Sequence, residues 1–96
     1  MRRDEALGLL RAHRSDLSRF HVKSLSLFGS VARDEAGPQS DLDVLVEFSG
    51  PATYDLYSGL KIYLEDLLGS PVDLVTEKAL KPRMRPSVER EAVRVA

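Results

Sequence analysis

The sequence predicts an α/β (α+β) fold, a mixed three-stranded sheet with helices packed on it. Three observations carry that prediction. Residues 22–28, 41–48 and 72–76 are short apolar or alternating runs bounded by glycine, proline and polar residues, as strands are. The link between the first two runs is too short for a full helical crossover, so they should lie antiparallel. The link between the second and third carries a long helical pattern, the right length for a right-handed parallel crossover.

Each element has its own justification. Residues 4–18 read as a helix, because Ala6, Leu7, Leu10 and Leu17 fall near helical spacing and Asp4 and Glu5 suit the N-terminal end. In 22–28, Ser24, Leu25, Ser26 and Leu27 alternate. Gly29 ends that strand, and Ser30 is placed to cap a short helix reaching about Arg33. Residues 36–40, Ala-Gly-Pro-Gln-Ser, form a turn. The run 41–48 is the second strand, broken by Ser49-Gly-Pro51. Thr53 caps a helix to about Leu68, with Leu56, Leu60, Tyr63, Leu64 and Leu67 on its buried stripe and Gly69 as its stop. Pro71 leads into the third strand, and a final helix starts near Ser87. There is no internal repeat and no low-complexity stretch.

Composition limits the function. Ninety-six residues suit one domain, 1–96, with one modest core. Without cysteine there is no disulfide, thiolate metal site or cysteine nucleophile. No apolar run approaches the roughly 20 residues of a membrane span. The N-terminus, Met-Arg-Arg-Asp-Glu, turns polar at once and has no apolar signal-peptide stretch, so the expected location is cytoplasmic. Net charge is −1 but unevenly spread. Residues 1–33 hold seven Lys/Arg against three Asp/Glu, 34–73 hold one against nine, and 74–96 hold six against three. An acidic middle between basic flanks fits a cation site beside phosphate-binding or partner-binding surfaces, although solvated charge is the plainer reading of the asymmetry alone.

The chemistry-bearing residues cluster in the middle of the chain. In Ser40-Asp-Leu-Asp-Val-Leu-Val, strand alternation aims Asp41 and Asp43 to one side while Leu42, Val44 and Val46 face the other. Two carboxylates held that close repel, and a hard divalent cation such as magnesium removes the penalty. Asp73, flanked by Val72 and Leu74, joins them if the third strand lies beside the second. Three carboxylates can hold two divalent ions roughly 3.5–4 Å apart, the geometry for in-line attack on phosphorus. Upstream, Gly29 lets a ligand approach the backbone, Ser30 adds a hydroxyl and Arg33 a guanidinium for phosphates. Arg33 suits an ion pair with Asp34 or Glu35 equally well. Tyr54, Tyr57 and Tyr63 read as packing or rim residues, His13 and His21 as surface residues, and the basic tail as a solvated segment, with partner docking as a second reading.

Gly29-Ser30, a gap of about ten residues, Asp41-Leu-Asp43 and the later Asp73 resemble the nucleotidyltransferase superfamily that contains DNA polymerase beta. Phe-Gly-Ser-x-Ala-Arg and Ser-Asp-Leu-Asp-x-Leu-Val are most similar to the minimal nucleotidyltransferases, the MNT proteins, over about residues 5–95. The resemblance implies the polymerase beta-like mixed-sheet fold, ATP as donor with two magnesium ions, and transfer of a nucleoside monophosphate. It implies Gly29 and Ser30, with Arg33, at the triphosphate, Asp41 and Asp43 on both metals, and Asp73 on the catalytic metal, helping to activate the acceptor. One departure is Asp34, where many members have glycine after the arginine.

MNT proteins are commonly paired with HEPN ribonuclease toxins. The expectation is therefore an antitoxin that forms a hetero-oligomer with a HEPN-type toxin and moves AMP from ATP onto its tyrosine. No membrane and no direct nucleic-acid contact are expected. The alternatives are a non-catalytic antitoxin acting by occlusion and a small-molecule nucleotidyltransferase, which usually needs a larger acceptor pocket.

Overall fold

A computed structural model describes residues 2–35 and 41–95, so the turn expected at 36–40 lies outside the described residues. Helix α1 spans Arg3–Ala12 and buries Ala6, Leu7 and Leu10. It stops well short of the predicted end. Arg14–Phe20 is a 3-10 segment that still buries Leu17. Within that segment the Ser18 hydroxyl donates to the Ser15 carbonyl and the Arg19 guanidinium to that of Asp16. His21, at φ 57°, turns the chain into β1, Val22–Phe28.

Next come α2 (Gly29–Ala32), β2 (Leu42–Phe48), α3 (Tyr54–Leu68) and β3 (Val72–Thr76). The cap at Thr53 forms as predicted, its side chain accepting from the Leu56 N–H at 3.2 Å. Gly69 closes α3 at φ 65°. Strand β1 pairs antiparallel with β2, and β2 parallel with β3.

Among the described residues the sheet has four strands rather than the predicted three. Val93–Arg94 forms β4, antiparallel to β1, giving the order β3-β2-β1-β4. Two residues carry no periodic signal. This strand exists because the end of the chain returns to the β1 edge, where the Val95 N–H reaches the Leu25 carbonyl at 2.8 Å.

The two faces of the sheet differ. One carries the main core, where Leu25, Leu27, Val44, Val46 and Leu74 meet Leu10, Leu60 and Leu64 from α1 and α3. Each such leucine contributes roughly 1.5–3 kcal/mol by leaving water. On the other face Phe28, Leu80 and Val88 form a smaller core with Leu45, Val75 and Ala92. The tail is therefore a packed arm, not a solvated segment. It comprises 3-10 turns at Glu77–Ala79 and Pro82–Met84, then α4, Arg85–Glu91. Leu80 and Val88 pin it across part of the second face, and the uncovered remainder is where the acidic residues lie. Among the described residues no helix is long and apolar enough to cross a membrane.

Candidate active site

Sheet register assembles the site. In the parallel pairing of β2 with β3, Leu42 faces Val72, Asp43 faces Asp73 and Val44 faces Leu74. Strand alternation sends Leu42, Val44, Val72 and Leu74 into the main core, so Asp43 and Asp73 must share the opposite face. The Leu42 N–H holds this register by donating to the Pro71 carbonyl at 3.0 Å, and the Val72 N–H donates to Glu65 Oε2 at 2.9 Å. Asp41, two residues before Asp43, is exposed just ahead of the strand.

The β1–β2 pairing brings the glycine to the same point. Phe28 faces Asp43, and Gly29 follows at φ 70°. A Cβ placed on Gly29 would lie 2.1 Å from Asp43 Oδ2 and 3.0 Å from its Cγ. The glycine is thus needed twice, for a left-handed backbone and for close approach to a carboxylate.

Electrostatics mark Asp43. Burial raises its carboxyl above the usual range; the charges of Asp73 and Asp41 and hydrogen bonding with Asp73 push the same way, against a smaller opposing pull from Arg33. Arg33 is already paired, its Nε with Glu35 Oε2 at 3.1 Å and its Nη1 with Glu91 Oε2 at 2.8 Å. The Glu35 side-chain hydrogen bond and the Glu91 charge raise its pKa. Of the two partners the sequence offered, Glu35 forms and Asp34 does not. Asp34 instead accepts the Arg3 N–H at 3.2 Å, completing the start of α1. It sits at φ 59°, the conformation glycine takes freely at this position. Ser30 is the second residue of α2, not its cap; the N-cap position falls on Phe28.

A cleft of about 680 Å³ opens over this face. Of the predicted residues, Gly29, Arg33, Asp43 and Asp73 line it, whereas Asp41 and Ser30 are not among its lining. The arm supplies the other wall, including Leu80, Lys81, Arg83, Met84 and Val88. Sequence reading missed Lys81 and Arg83. The available signal was two cations around Pro82, between the apolar anchors Leu80 and Val88.

Among the described residues no three carboxylate or imidazole groups already surround one cation position. The donor chemistry nonetheless suits a hard cation. Asp43 and Asp73 are like-charged partners in register; burial first and the Asp73 and Asp41 charges second raise the Asp43 carboxyl, and a divalent ion offsets such like-charge repulsion. Two tyrosines serve the fold, Tyr57 donating to the Leu74 carbonyl and Tyr63 to Asp16 Oδ2 at 2.8 Å, whereas Tyr54 is exposed.

Comparison with known proteins matches residues 10–95 to the nucleotidyltransferase domain model. A Thermococcus cleftensis protein named protein adenylyltransferase MntA is 41% identical over 93 residues, covering 96% of this chain and 94% of its own. A solved chain provisionally described as a minimal nucleotidyltransferase superposes with TM-score 0.76 at 45% identity, covering 91% of this chain and 93% of that one. A tri-AMPylated Shewanella oneidensis HEPN toxin in complex with MNT antitoxin matches with TM-score 0.66 at 20% identity, over 94% of this chain and 71% of that one, which shows the fold alone.

Proposed function

The chain belongs to the nucleotidyltransferase domain family, and on that premise we propose that it is a protein adenylyltransferase and antitoxin. It moves AMP from ATP onto a tyrosine hydroxyl of a HEPN-type ribonuclease toxin, in the cytoplasm, and so neutralises it. The observation that carries this reading is the in-register Asp43–Asp73 pair at the cleft, with Gly29 packed against Asp43. The name of the 41% identical relative supports adenylyl transfer, and the HEPN complex supports the class of partner.

The residues take distinct roles. Asp41, Asp43 and Asp73 are the donor set for two magnesium ions, which when bound neutralise the triphosphate and make its α-phosphorus a better electrophile. Gly29 leaves room for the triphosphate to approach the backbone, Ser30 hydrogen-bonds its oxygens, and Arg33, held by Glu35 and Glu91, adds positive charge from the cleft wall. Asp73, exposed beside Asp43, takes the proton as the tyrosine oxygen bonds to the α-phosphorus. The bond from that phosphorus to the oxygen bridging the β-phosphate breaks, and pyrophosphate leaves. Positioning and charge neutralisation supply most of the acceleration.

The test incubates the protein with α-labelled ATP, magnesium and its HEPN-type partner. Label should appear on a partner tyrosine with the wild type and be absent with Asp41→Asn/Asp43→Asn. No transfer by folded wild type overturns the enzymatic reading. A double variant that neutralises the partner as well as wild type at equal concentration would show that occlusion suffices.

A further inference from the structure

We propose that Lys81 and Arg83 are the triphosphate-holding side of the cleft, neutralising the terminal phosphates of a nucleoside triphosphate. This inference deepens the proposed adenylyl transfer and rests on it. It starts from charge. A triphosphate entering the cleft meets Asp43 and Asp73 on one wall, which repel it. The obvious counter-charge is Arg33, but Glu35 and Glu91 hold its guanidinium at 3.1 and 2.8 Å. Lys81 and Arg83 line the same cleft, and neither forms an ion pair with a carboxylate among the described residues.

The other arm cations are placed differently. Arg85 bridges to Glu77 at 3.7 Å and donates to the Glu77 carbonyl at 3.1 Å. Lys78 faces a separate, smaller cavity that Arg85 also lines. Among the described residues, the cations of the cleft without a carboxylate partner are thus the two that flank Pro82.

Their backbone is fixed while their side chains stay exposed. Leu80, one residue before Lys81, is buried in the second core and its N–H reaches the Glu77 carbonyl at 3.2 Å. The Met84 N–H closes the turn on the Lys81 carbonyl at 2.9 Å, and Pro82 restricts the backbone between the two cations. Fixed stems with unpaired heads favour anion binding, because little order must be gained when the ligand arrives. The pairing of types also suits phosphates: arginine offers a planar fork for two oxygens, and lysine a compact charge.

The test is calorimetric titration of ATP and of AMP, with magnesium, into wild type and Lys81→Gln/Arg83→Gln. Both side chains are exposed, so melting temperature should not change. The double variant should bind ATP at least about tenfold more weakly, since hydrogen bonds to charged groups are the strong ones, while AMP affinity stays within about twofold. Lys81→Arg/Arg83→Lys should retain most ATP affinity. An equal loss for ATP and AMP, or none for either, overturns the inference. If wild type transfers AMP and the double variant binds ATP unchanged, this inference fails and adenylyl transfer stands. If wild type transfers nothing but shows the ATP-selective loss, the transfer reading fails and this site stands. A wild type that binds no ATP overturns both.

Discussion

Replacing Gly29 with alanine strikes the contact on which the site geometry turns. Two separate costs follow. At φ 70° an L-residue loses roughly 1–2 kcal/mol relative to glycine. The new Cβ would also stand 2.1 Å from Asp43 Oδ2. Rotating the carboxylate clears that oxygen but leaves Cγ at 3.0 Å and Cβ at 3.3 Å, so strain remains. Overpacking of this kind costs about 1–3 kcal/mol. Gly29→Ala should therefore destabilise by about 2–5 kcal/mol in urea denaturation, a large share of the roughly 5–15 kcal/mol of a small domain. Removing the obstacle separates the terms. In an Asp43→Ala background no Oδ2 or Cγ remains and only the Cβ at 3.3 Å is left, so the same glycine substitution should cost little more than its backbone part, about 1–2 kcal/mol. A four-protein cycle should then give a coupling of about 1–3 kcal/mol between the sites, as expected for residues in contact. A coupling within about 0.5 kcal/mol of zero, the scatter of independent sites, would refute the claim that Gly29 is required by the approach of Asp43.

Two further outcomes follow from the same geometry. Asp43→Asn removes one of two like charges directly opposed across β2 and β3 and should stabilise the metal-free protein by about 0.2–1 kcal/mol, read as a higher melting temperature. Because the folded state holds the Asp43 proton more tightly than the unfolded chain, wild-type stability falls as pH rises from the ordinary carboxylate value through the raised one, so the variant's advantage should be full at neutral pH and disappear in acid; a pH-independent advantage contradicts this cause. Asp34→Ala keeps the left-handed backbone and loses the acceptor for the Arg3 N–H, so its melting point should report a loss of about 0.5–2 kcal/mol. Asp34→Gly relieves the backbone as it loses the cap and should stay near wild type; a fall as deep as alanine's would show that φ contributes nothing here.

The parts readable from sequence were those with a local cause. Thr53 and Gly69 bound α3 as their chemistry requires, and the alternation around Asp43 placed the carboxylates opposite the core residues. Asp73 came within reach because a long helix between two strands implies a parallel neighbour. The missed parts have causes distant in sequence. Strand β4 is two residues whose partner lies in β1, and no window around Val93 contains that information. The predicted helix over 4–18 divides at His13 into α1 and a 3-10 segment, although Leu17 keeps helical spacing and is buried. Arg33 was read against its neighbours in sequence, whereas Glu91, its nearer partner, comes from α4. The basic tail was read as solvated because its apolar anchors, Leu80 and Val88, are few and widely spaced. They bury themselves only because Phe28, Leu45 and Val75 offer the uncovered side of the sheet.

That last packing ties stability to chemistry. The second core is small, and the arm it anchors carries Lys81, Arg83 and Glu91. Phe28, its member from β1, immediately precedes Gly29 and pairs with Asp43. A contact between Val88 and the sheet therefore acts at three places. It lies on the arm that brings Lys81 and Arg83 to the cleft, on the helix that carries Glu91 to Arg33, and in the cluster that holds Phe28, the residue before Gly29. Elements with few buried apolar contacts open at lower free energy than the main core. Asp43 and Asp73 of the acidic middle lie in one cleft with Lys81 and Arg83 of the basic arm, so opposite charges far apart in sequence meet there.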